Sequence, residues 1–150
     1  MLLKGSCHCG AVKFTVNAYA PVPYMRCYCS ICRKTAGGGG YAINIMGKAE
    51  TMKVKGRTKV YRATRNGPQR HFCPKCGSAL WLWDRRWAQW IYPFASAIDT
   101  KLPAPKERQH IMLDSKASWV PVPKGRLERH FREFPKESII DWHRKRGLLR

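Results

Sequence analysis

Hydrophobic and polar side chains alternate along several short stretches of the chain. The alternation is clearest at residues 12–16 and 52–55, where every second side chain is apolar. A period of two predicts β-strands with one face in solvent. Further strands are predicted, between Gly and Pro turn signals, at residues 41–45, 59–63, 69–72, 78–83, 87–92 and 110–113. The pattern therefore predicts a mainly β fold of several small antiparallel sheets.

Helical signals are clear only near the C-terminal end. Pro135 and Ser138 are start signals, residues 144–146 are basic as suits the last turn of a helix, and Gly147 can end it. We expect a short C-terminal helix there. The residues expected to dock it are Ile139, Ile140 and Trp142 or His143.

The length and composition indicate one domain. A chain of 150 residues with 44% hydrophobic residues can bury a core of its own, and we expect a single domain over residues 1–150. No apolar run approaches the ~18 residues of a membrane helix. Residues 1–5 lead directly into a cysteine motif without the apolar segment of a signal peptide. We expect a cytoplasmic protein without a membrane partner.

Seven cysteines form three clusters. In a reducing compartment, closely spaced cysteines are metal ligands more often than disulfides, and an odd number cannot all pair within one chain. The clusters are Cys7-His8-Cys9, Cys27-Tyr28-Cys29-Ser30-Ile31-Cys32 and Cys73-Pro74-Lys75-Cys76-Gly77.

The spacings within these clusters suit two zinc sites. Residues 73–77 have the pattern of a zinc knuckle, whose tight turn brings two sulfurs to one metal at ~2.3 Å. A Cys-x-Cys in extended chain projects both sulfurs to one side and supplies two more ligands. The middle cluster offers three thiolates from a single loop, which leaves a coordination position open, as in catalytic zinc sites. The simplest division is one closed site of four and one open site of three, although spacing alone does not settle the pairing.

Other arrangements of the cysteines are compatible with the same spacing. They are a single zinc with three spare buried thiols, oxidised cysteines, and an iron-sulfur cluster.

The chain is strongly basic, with a formal charge of +20 from 29 Lys+Arg against 9 Asp+Glu. Thiolates bound to two zinc ions would remove about three units of this excess. Such a charge favours an anionic partner. One alternative is therefore a basic zinc-binding module that binds nucleic acid, or a protein partner, without catalysis.

Three segments together resemble the glutathione-dependent formaldehyde-activating enzyme (Gfa) family, whose domain is shared with centromere protein V. They are Gly5-Ser6-Cys7-His8-Cys9-Gly10-Ala11-Val12-Lys13-Phe14, Cys27-Tyr28-Cys29-Ser30-Ile31-Cys32-Arg33-Lys34 and Phe72-Cys73-Pro74-Lys75-Cys76-Gly77-Ser78-Ala79-Leu80-Trp81. The resemblance covers roughly residues 3–120, which leaves residues 121–150 as a C-terminal extension.

The resemblance implies a fold of small β-sheets around two zinc ions. It implies that Cys7, Cys9, Cys73 and Cys76 hold a structural zinc and that Cys27, Cys29 and Cys32 hold a catalytic one. The implied reaction joins glutathione, as co-substrate, to formaldehyde to give S-(hydroxymethyl)glutathione, so that the chain would be a carbon-sulfur lyase acting on a small-molecule thiol and a carbonyl compound.

Residues near the cysteines are further candidates. The basic ones, which could contact substrate carboxylates, are Arg26, Arg33, Lys34, Arg70 and Lys75. His8 and His71 adjoin ligands and are candidate acids or bases, His8 being the more readily explained as a surface residue. Residues 37–40 are all glycine, and we expect a mobile loop beside the open zinc. Core packing is expected for Trp81, Trp83, Trp87 and Trp90.

Overall fold

The computed structural model describes residues 1–150. The strands and helices follow in the order β1 (Leu2–Ser6), β2 (Lys13–Asn17), β3 (Tyr24–Cys27), α1 (Ser30–Ala36), β4 (Ala42–Asn44), β5 (Gly47–Lys48), β6 (Lys53–Lys55), β7 (Lys59–Tyr61), β8 (Gln69–Phe72), β9 (Ala79–Trp83), β10 (Trp90–Pro93), β11 (Arg108–Ile111), β12 (Glu128–His130) and α2 (Ile139–Lys145). Single 3₁₀ turns lie at Ala49–Thr51, Arg85–Trp87, Ala95–Ala97 and Leu113–Ser115.

The first sheet has the order β1-β2-β6 and is antiparallel throughout. Its strands alternate as the sequence predicts, because Phe14 and Val16 are buried while Lys13 is exposed. Gly5 on β1 faces the ring of Phe14 so closely that a Cβ there would lie 2.2 Å from the ring's Cζ. A side chain at position 5 would therefore displace this ring.

The second sheet is antiparallel and has the order β5-β10-β9-β8-β7. Its β8–β9 hairpin carries the knuckle Cys73 to Gly77 in its turn, so that both arms of the hairpin hold the knuckle in place. The strand predicted at residues 87–92 begins later, at Trp90, because Arg85–Trp87 forms a 3₁₀ turn after Asp84.

The third sheet has the order β12-β11-β3-β4, and its pairs β12–β11 and β11–β3 are parallel. Parallel neighbours need a long crossover connection, which residues 112–127 provide between β11 and β12. The prediction of a mainly β fold with several small sheets is confirmed. Two pairings of this sheet are parallel rather than antiparallel, because local alternation of side chains does not determine which distant strands pair.

Two separate hydrophobic clusters form the interior. The larger has 13 buried residues, among them Leu3, Leu80 and the cysteines Cys7 and Cys73. The smaller has 6 buried residues, including Cys27 and Cys32. Each group of cysteines therefore lies at the edge of its own apolar cluster.

The C-terminal helix α2 begins as predicted. The Ser138 hydroxyl accepts a hydrogen bond from the Asp141 N–H at 3.2 Å, and Gly147 adopts φ 63° just beyond the helix. Of the residues predicted to dock it, Trp142 and His143 are buried. The indole of Trp142 donates to the Glu107 carboxylate at 3.2 Å, which ties the extension to the preceding β domain.

Neither α-helix has the length and apolar character that a membrane crossing would require.

Candidate metal centres

The first candidate centre joins Cys7, Cys9, Cys73 and Cys76, whose Sγ atoms all lie within 4.8 Å of one another. The Cys7 and Cys9 sulfurs are 3.6 Å apart, and those of Cys9 and Cys73 are 3.8 Å apart. A disulfide would bring two sulfurs to ~2.05 Å. A tetrahedron with Zn–S bonds of ~2.3 Å has sulfur-to-sulfur edges of about 3.8 Å. The spacing therefore fits four ligands of one zinc ion and not a disulfide.

The backbone around Cys7 differs from the extended chain predicted for the Cys-x-Cys. Residues 7–10 form a turn, closed by a hydrogen bond of 3.1 Å from the Gly10 N–H to the Cys7 carbonyl. The two sulfurs meet because the chain folds back on itself in this turn, and not because alternate residues of a strand face the same side. The prediction that both cysteines serve one cluster nevertheless agrees with this geometry.

The knuckle has the predicted turn geometry. The Gly77 N–H donates to the Cys73 carbonyl at 2.9 Å, and Gly77 adopts φ 75°, a conformation that only glycine reaches without strain. Ser78 follows, and its hydroxyl lies 3.1 Å from the Cys76 sulfur. Since its hydroxyl also accepts the His8 N–H at 3.1 Å, Ser78 links the two halves of this centre.

The pKa values of Cys9 and Cys76 shift in opposite directions. The hydroxyl of Ser78 and the backbone N–H groups of Cys9 and Ser78 lower the pKa of Cys76 to about 5. The pKa of Cys9 rises to about 11, because desolvation and the neighbouring thiols outweigh the Ala11 N–H that lowers it. Packed thiols resist full ionisation because their negative charges repel one another. A divalent cation that prefers sulfur ligands would remove that repulsion.

The second candidate centre joins Cys27, Cys29 and Cys32, whose sulfurs also lie within 4.8 Å of one another. No fourth histidine, cysteine or carboxylate joins them. Cys27 and Cys32 are buried, whereas Cys29 is partly exposed. The group therefore offers three sulfur ligands with an accessible side at Cys29.

A helix positions these three sulfurs, although the sequence predicts that they lie in a single loop. Cys27 ends β3, Cys29 is the N-cap of α1, and Cys32 lies in its first turn. The Cys29 sulfur accepts a hydrogen bond from the Cys32 N–H at 3.3 Å. This short helix was not predicted, because cysteine is not among the residues that usually cap helices.

Hydrogen bonds within the centre favour one thiolate strongly. Contacts from the Cys27 and Cys32 thiols lower the pKa of Cys29 to about 2, with help from the backbone N–H groups of Ile31 and Cys32. The same contacts, together with burial, raise the pKa of Cys27. Ionising all three sulfurs together again requires a cation among them, and a zinc ion fits this donor set.

Arg70 lies directly against this centre. Its guanidinium donates to the Cys32 sulfur at 3.6 Å, and the residue is only 9% exposed. Three thiolates around a divalent zinc carry one net negative charge, which a buried guanidinium offsets. Of the five basic candidates, Arg70 is the one that donates a hydrogen bond to a cysteine sulfur.

The other basic candidates lie elsewhere. The Arg26 guanidinium carbon stacks over the Tyr41 ring at 4.5 Å, and Lys75 is exposed within the knuckle. Arg33 and Lys34, on α1, line a cavity together with His8. His71 lies between the Thr58 hydroxyl, 2.8 Å from its Nδ1, and the Trp81 ring, 4.9 Å away. Burial lowers the pKa of His71.

The predicted tryptophan and glycine residues also have distinct positions. Trp81 is buried in the larger hydrophobic cluster, and Trp83 packs against it. Trp87 is exposed, so the expectation of core packing is wrong for this residue. Residues 37–40 form the loop between α1 and β4, and its first two glycines line the same cavity as Arg33.

A buried polar network adjoins the second centre and was not found from the sequence. The Tyr28 hydroxyl lies 2.7 Å from His110 Nδ1, and His110 Nε2 lies 2.6 Å from the Glu128 carboxylate. Because a carboxylate only accepts, Nε2 donates to Glu128, and Nδ1 of the neutral ring accepts a hydrogen bond from the Tyr28 hydroxyl. Arg108 holds the pKa of Glu128 at about 2. The network holds the side chain of Tyr28, the residue between Cys27 and Cys29, in place.

Comparisons with known proteins agree with this architecture. The profile of the family described as "Glutathione-dependent formaldehyde-activating enzyme" matches residues 2–115. A protein of Halomonas elongata, named provisionally as a glutathione-dependent formaldehyde-activating enzyme, is 54% identical over 154 residues, covering 99% of this chain and 98% of that protein.

A crystal structure of a Rhodobacter sphaeroides protein is similar in fold, with a TM-score of 0.54 and 27% sequence identity. The similarity covers 67% of this chain and 91% of the other. From the profile match and the identity to the Halomonas protein, the chain belongs to the glutathione-dependent formaldehyde-activating enzyme family.

Proposed function

We propose that the chain is a zinc-dependent enzyme that joins the thiol of glutathione to formaldehyde, forming S-(hydroxymethyl)glutathione. The reaction is that of a carbon-sulfur lyase run in reverse. The observation that carries the proposal is the second centre, where Cys27, Cys29 and Cys32 place three sulfurs together without a fourth protein ligand. The family and the name of the Halomonas protein support the choice of substrates.

The two centres have different roles in this proposal. Cys7, Cys9, Cys73 and Cys76 form a closed set of four ligands, as in structural zinc sites. Cys27, Cys29 and Cys32 leave a position for a substrate atom, as in catalytic sites. When bound there, zinc supplies a Lewis acid that stabilises a thiolate at neutral pH.

In the reaction, the glutathione sulfur forms a bond to the formaldehyde carbon. The thiol gives up its proton, and the carbonyl oxygen gains one as the C=O double bond becomes a single bond. The protein's part is to hold both substrates at the exposed side of Cys29 and to set the charge there. Arg70, against Cys32, reduces the negative charge that three thiolates would otherwise present to an incoming thiol.

The test is exchange spectroscopy by NMR on formaldehyde and its glutathione adduct, with and without the zinc-loaded protein. We expect the wild type to accelerate exchange and the Cys29→Ser variant to lose that acceleration. Lys124→Met, a change at an exposed residue, is the matched control and should keep it. Exchange at the uncatalysed rate with fully zinc-loaded wild type would reject the assignment.

The alternative of a basic zinc-binding module that binds nucleic acid or a protein partner without catalysis gains no support from the family or from the named relative. A single domain over residues 1–150 and a cytoplasmic location both stay predictions.

A further inference from the structure

The C-terminal extension, residues 121–150, contributes one carboxylate to the interior of the protein. Glu128 on β12 accepts hydrogen bonds from Arg108 Nε at 2.8 Å and from His110 Nε2 at 2.6 Å. The Glu128 side chain is only 9% exposed, and His110 is fully buried. The family profile ends at residue 115, so this carboxylate comes from outside the segment that the profile matches.

This carboxylate is linked to the second centre, called here the three-sulfur centre and formed by Cys27, Cys29 and Cys32. The link is Tyr28, whose hydroxyl lies 2.7 Å from His110 Nδ1 and whose side chain is fully buried. Tyr28 stands between two of the three cysteines in the chain. A rotation of its backbone would therefore move both neighbouring sulfurs.

The charge of Glu128 determines the direction of both hydrogen bonds that His110 makes. A carboxylate only accepts, so the neutral ring keeps its proton on Nε2 and uses Nδ1 as the acceptor for Tyr28. An amide at position 128 could donate as well as accept, and would therefore also permit the opposite tautomer of His110. The carboxylate thus selects one orientation of the Tyr28 hydroxyl.

Pairing of β12 with β11 does not require this network. Arg108 and Glu128 lie opposite each other in the parallel ladder and form an ion pair, and the Phe131 N–H donates to the His110 carbonyl at 2.9 Å. These contacts hold the strand without Tyr28. Buried imidazole and hydroxyl groups are unfavourable unless their hydrogen bonds are made, so the continuation of the network points to a role at Tyr28.

Apolar contacts also connect the extension to the three-sulfur centre. Phe131 and Ile139 pack against the smaller hydrophobic cluster, which contains Cys27 and Cys32. Both a polar and an apolar contact of the extension therefore reach the surroundings of these sulfurs.

We propose that Glu128 is a positioning residue for the three-sulfur centre, acting through His110 on Tyr28 and so on the placement of Cys27 and Cys29. Its own hydrogen bonds do not reach a sulfur. The proposal rests on zinc binding by these cysteines, which is part of the proposed function, and not on the choice of substrates.

A double-mutant cycle in zinc affinity tests this role. Tyr28→Phe removes the hydroxyl and keeps the ring, and Glu128→Gln removes the charge and keeps the shape. Each should weaken zinc binding at the three-sulfur centre about tenfold, as expected for residues that orient metal ligands. Because both changes break one connection, the double variant should also lose about tenfold, whereas independent effects would give about a hundredfold loss. Chelator competition on the full-length, zinc-loaded protein measures these affinities.

Glu133→Gln is the matched control, because it makes the same chemical change at an exposed residue of the extension. It should leave both centres unchanged. Tyr28→Phe and Glu128→Gln should leave unchanged the other centre, called here the four-sulfur centre and formed by Cys7, Cys9, Cys73 and Cys76. Additive losses, equal losses at both centres, or wild-type zinc affinity in Glu128→Gln would overturn the proposal.

Cobalt(II) in place of zinc gives a second readout, because the absorption of a cobalt(II)-thiolate site depends on its geometry. The bands that the Cys32→Ser variant lacks report the three-sulfur centre. We expect Tyr28→Phe and Glu128→Gln to shift these bands and Glu133→Gln to leave them in place, and unshifted bands in Glu128→Gln would contradict a positioning role. If the cycle shows coupling but the wild type does not accelerate formaldehyde exchange, the positioning role stands and the proposed reaction fails.

Discussion

Arg70 shows how a single residue sets the electrostatics of the three-sulfur centre. It is buried on β8, forms no ion pair with a carboxylate, and donates a hydrogen bond to the Cys32 sulfur at 3.6 Å. A buried guanidinium without a partner would be strongly unfavourable. In the proposed zinc site, the thiolates and Arg70 would stabilise each other, so that the charge of the site would contribute to the stability of the fold around it.

Replacing Arg70 by methionine should weaken zinc binding at this centre alone. Loss of a charged group next to a ligand typically costs 10–100-fold in metal affinity, and we expect about that range here. Competition with a chromophoric chelator measures it, and we expect the two zinc ions to leave at different chelator concentrations. Arg85→Met, at an exposed position, serves as the control. An unchanged chelator concentration for Arg70→Met would show that the guanidinium does not support the site.

Helix α1 is the element on which the proposed reaction depends most. It is only seven residues long, yet it holds Cys29 at its N-cap and Cys32 in its first turn, and its second half forms a cavity wall. An isolated helix of this length is unstable in water. Cys32 lies in the smaller hydrophobic cluster and Ala36 packs against it, and this packing stabilises the helix.

A proline at position 35 should affect zinc binding at the three-sulfur centre and leave the four-sulfur centre unchanged. Proline removes the N–H that the helix requires there and its ring clashes with the Ile31 carbonyl, at a cost of about 3 kcal/mol or more. Thr35→Pro should therefore lose the zinc of the three-sulfur centre and keep the other. Thr35→Ala removes the hydroxyl bond to the Ile31 carbonyl, 2.6 Å long, and should keep both. Metal analysis of the purified proteins counts the zinc, and two ions in Thr35→Pro would contradict the role of α1.

The elements differ in how far the sequence determines them. Alternation predicts strand β2 closely, because Phe14 and Val16 on one of its faces are buried. The knuckle is predicted in detail, since the turn at Gly77 requires a glycine. Helix α1 is too short for a helical period, and its cap is a cysteine. The parallel pairings depend on contacts far apart in the chain, which local patterns do not contain.

The same limit applies to the sites. The spacing suggests a division of the cysteines into four and three, the family resemblance implies which cysteines form each set, and the structure brings those same sets together. The Tyr28, His110 and Glu128 network joins residues 82 and 18 positions apart, so no local motif reveals it. Arg70 was one of five basic candidates, and what distinguishes it is its contact with Cys32, 38 positions away in the chain, which no local pattern reveals.

At the scale of the whole molecule, the fold consists of two apolar clusters, each attached to one group of cysteines. The larger cluster contains Cys7 and Cys73, so the four-sulfur centre connects the first sheet to the second. A structural zinc contributes about 10–16 kcal/mol of binding free energy, which is as large as the whole stability of a typical domain. Loss of that zinc should therefore unfold the chain, whereas loss of the other should leave the larger cluster intact.

The most direct test of this account is the amount of zinc per folded chain in the wild type and in the Cys76→Ser and Cys32→Ser variants. We expect two zinc ions in the wild type, a folded protein with one zinc ion for Cys32→Ser, and an unfolded or aggregated chain for Cys76→Ser. One zinc ion in the wild type, or equal loss of structure in the two variants, would contradict the division of the seven cysteines into a closed structural centre and an open one.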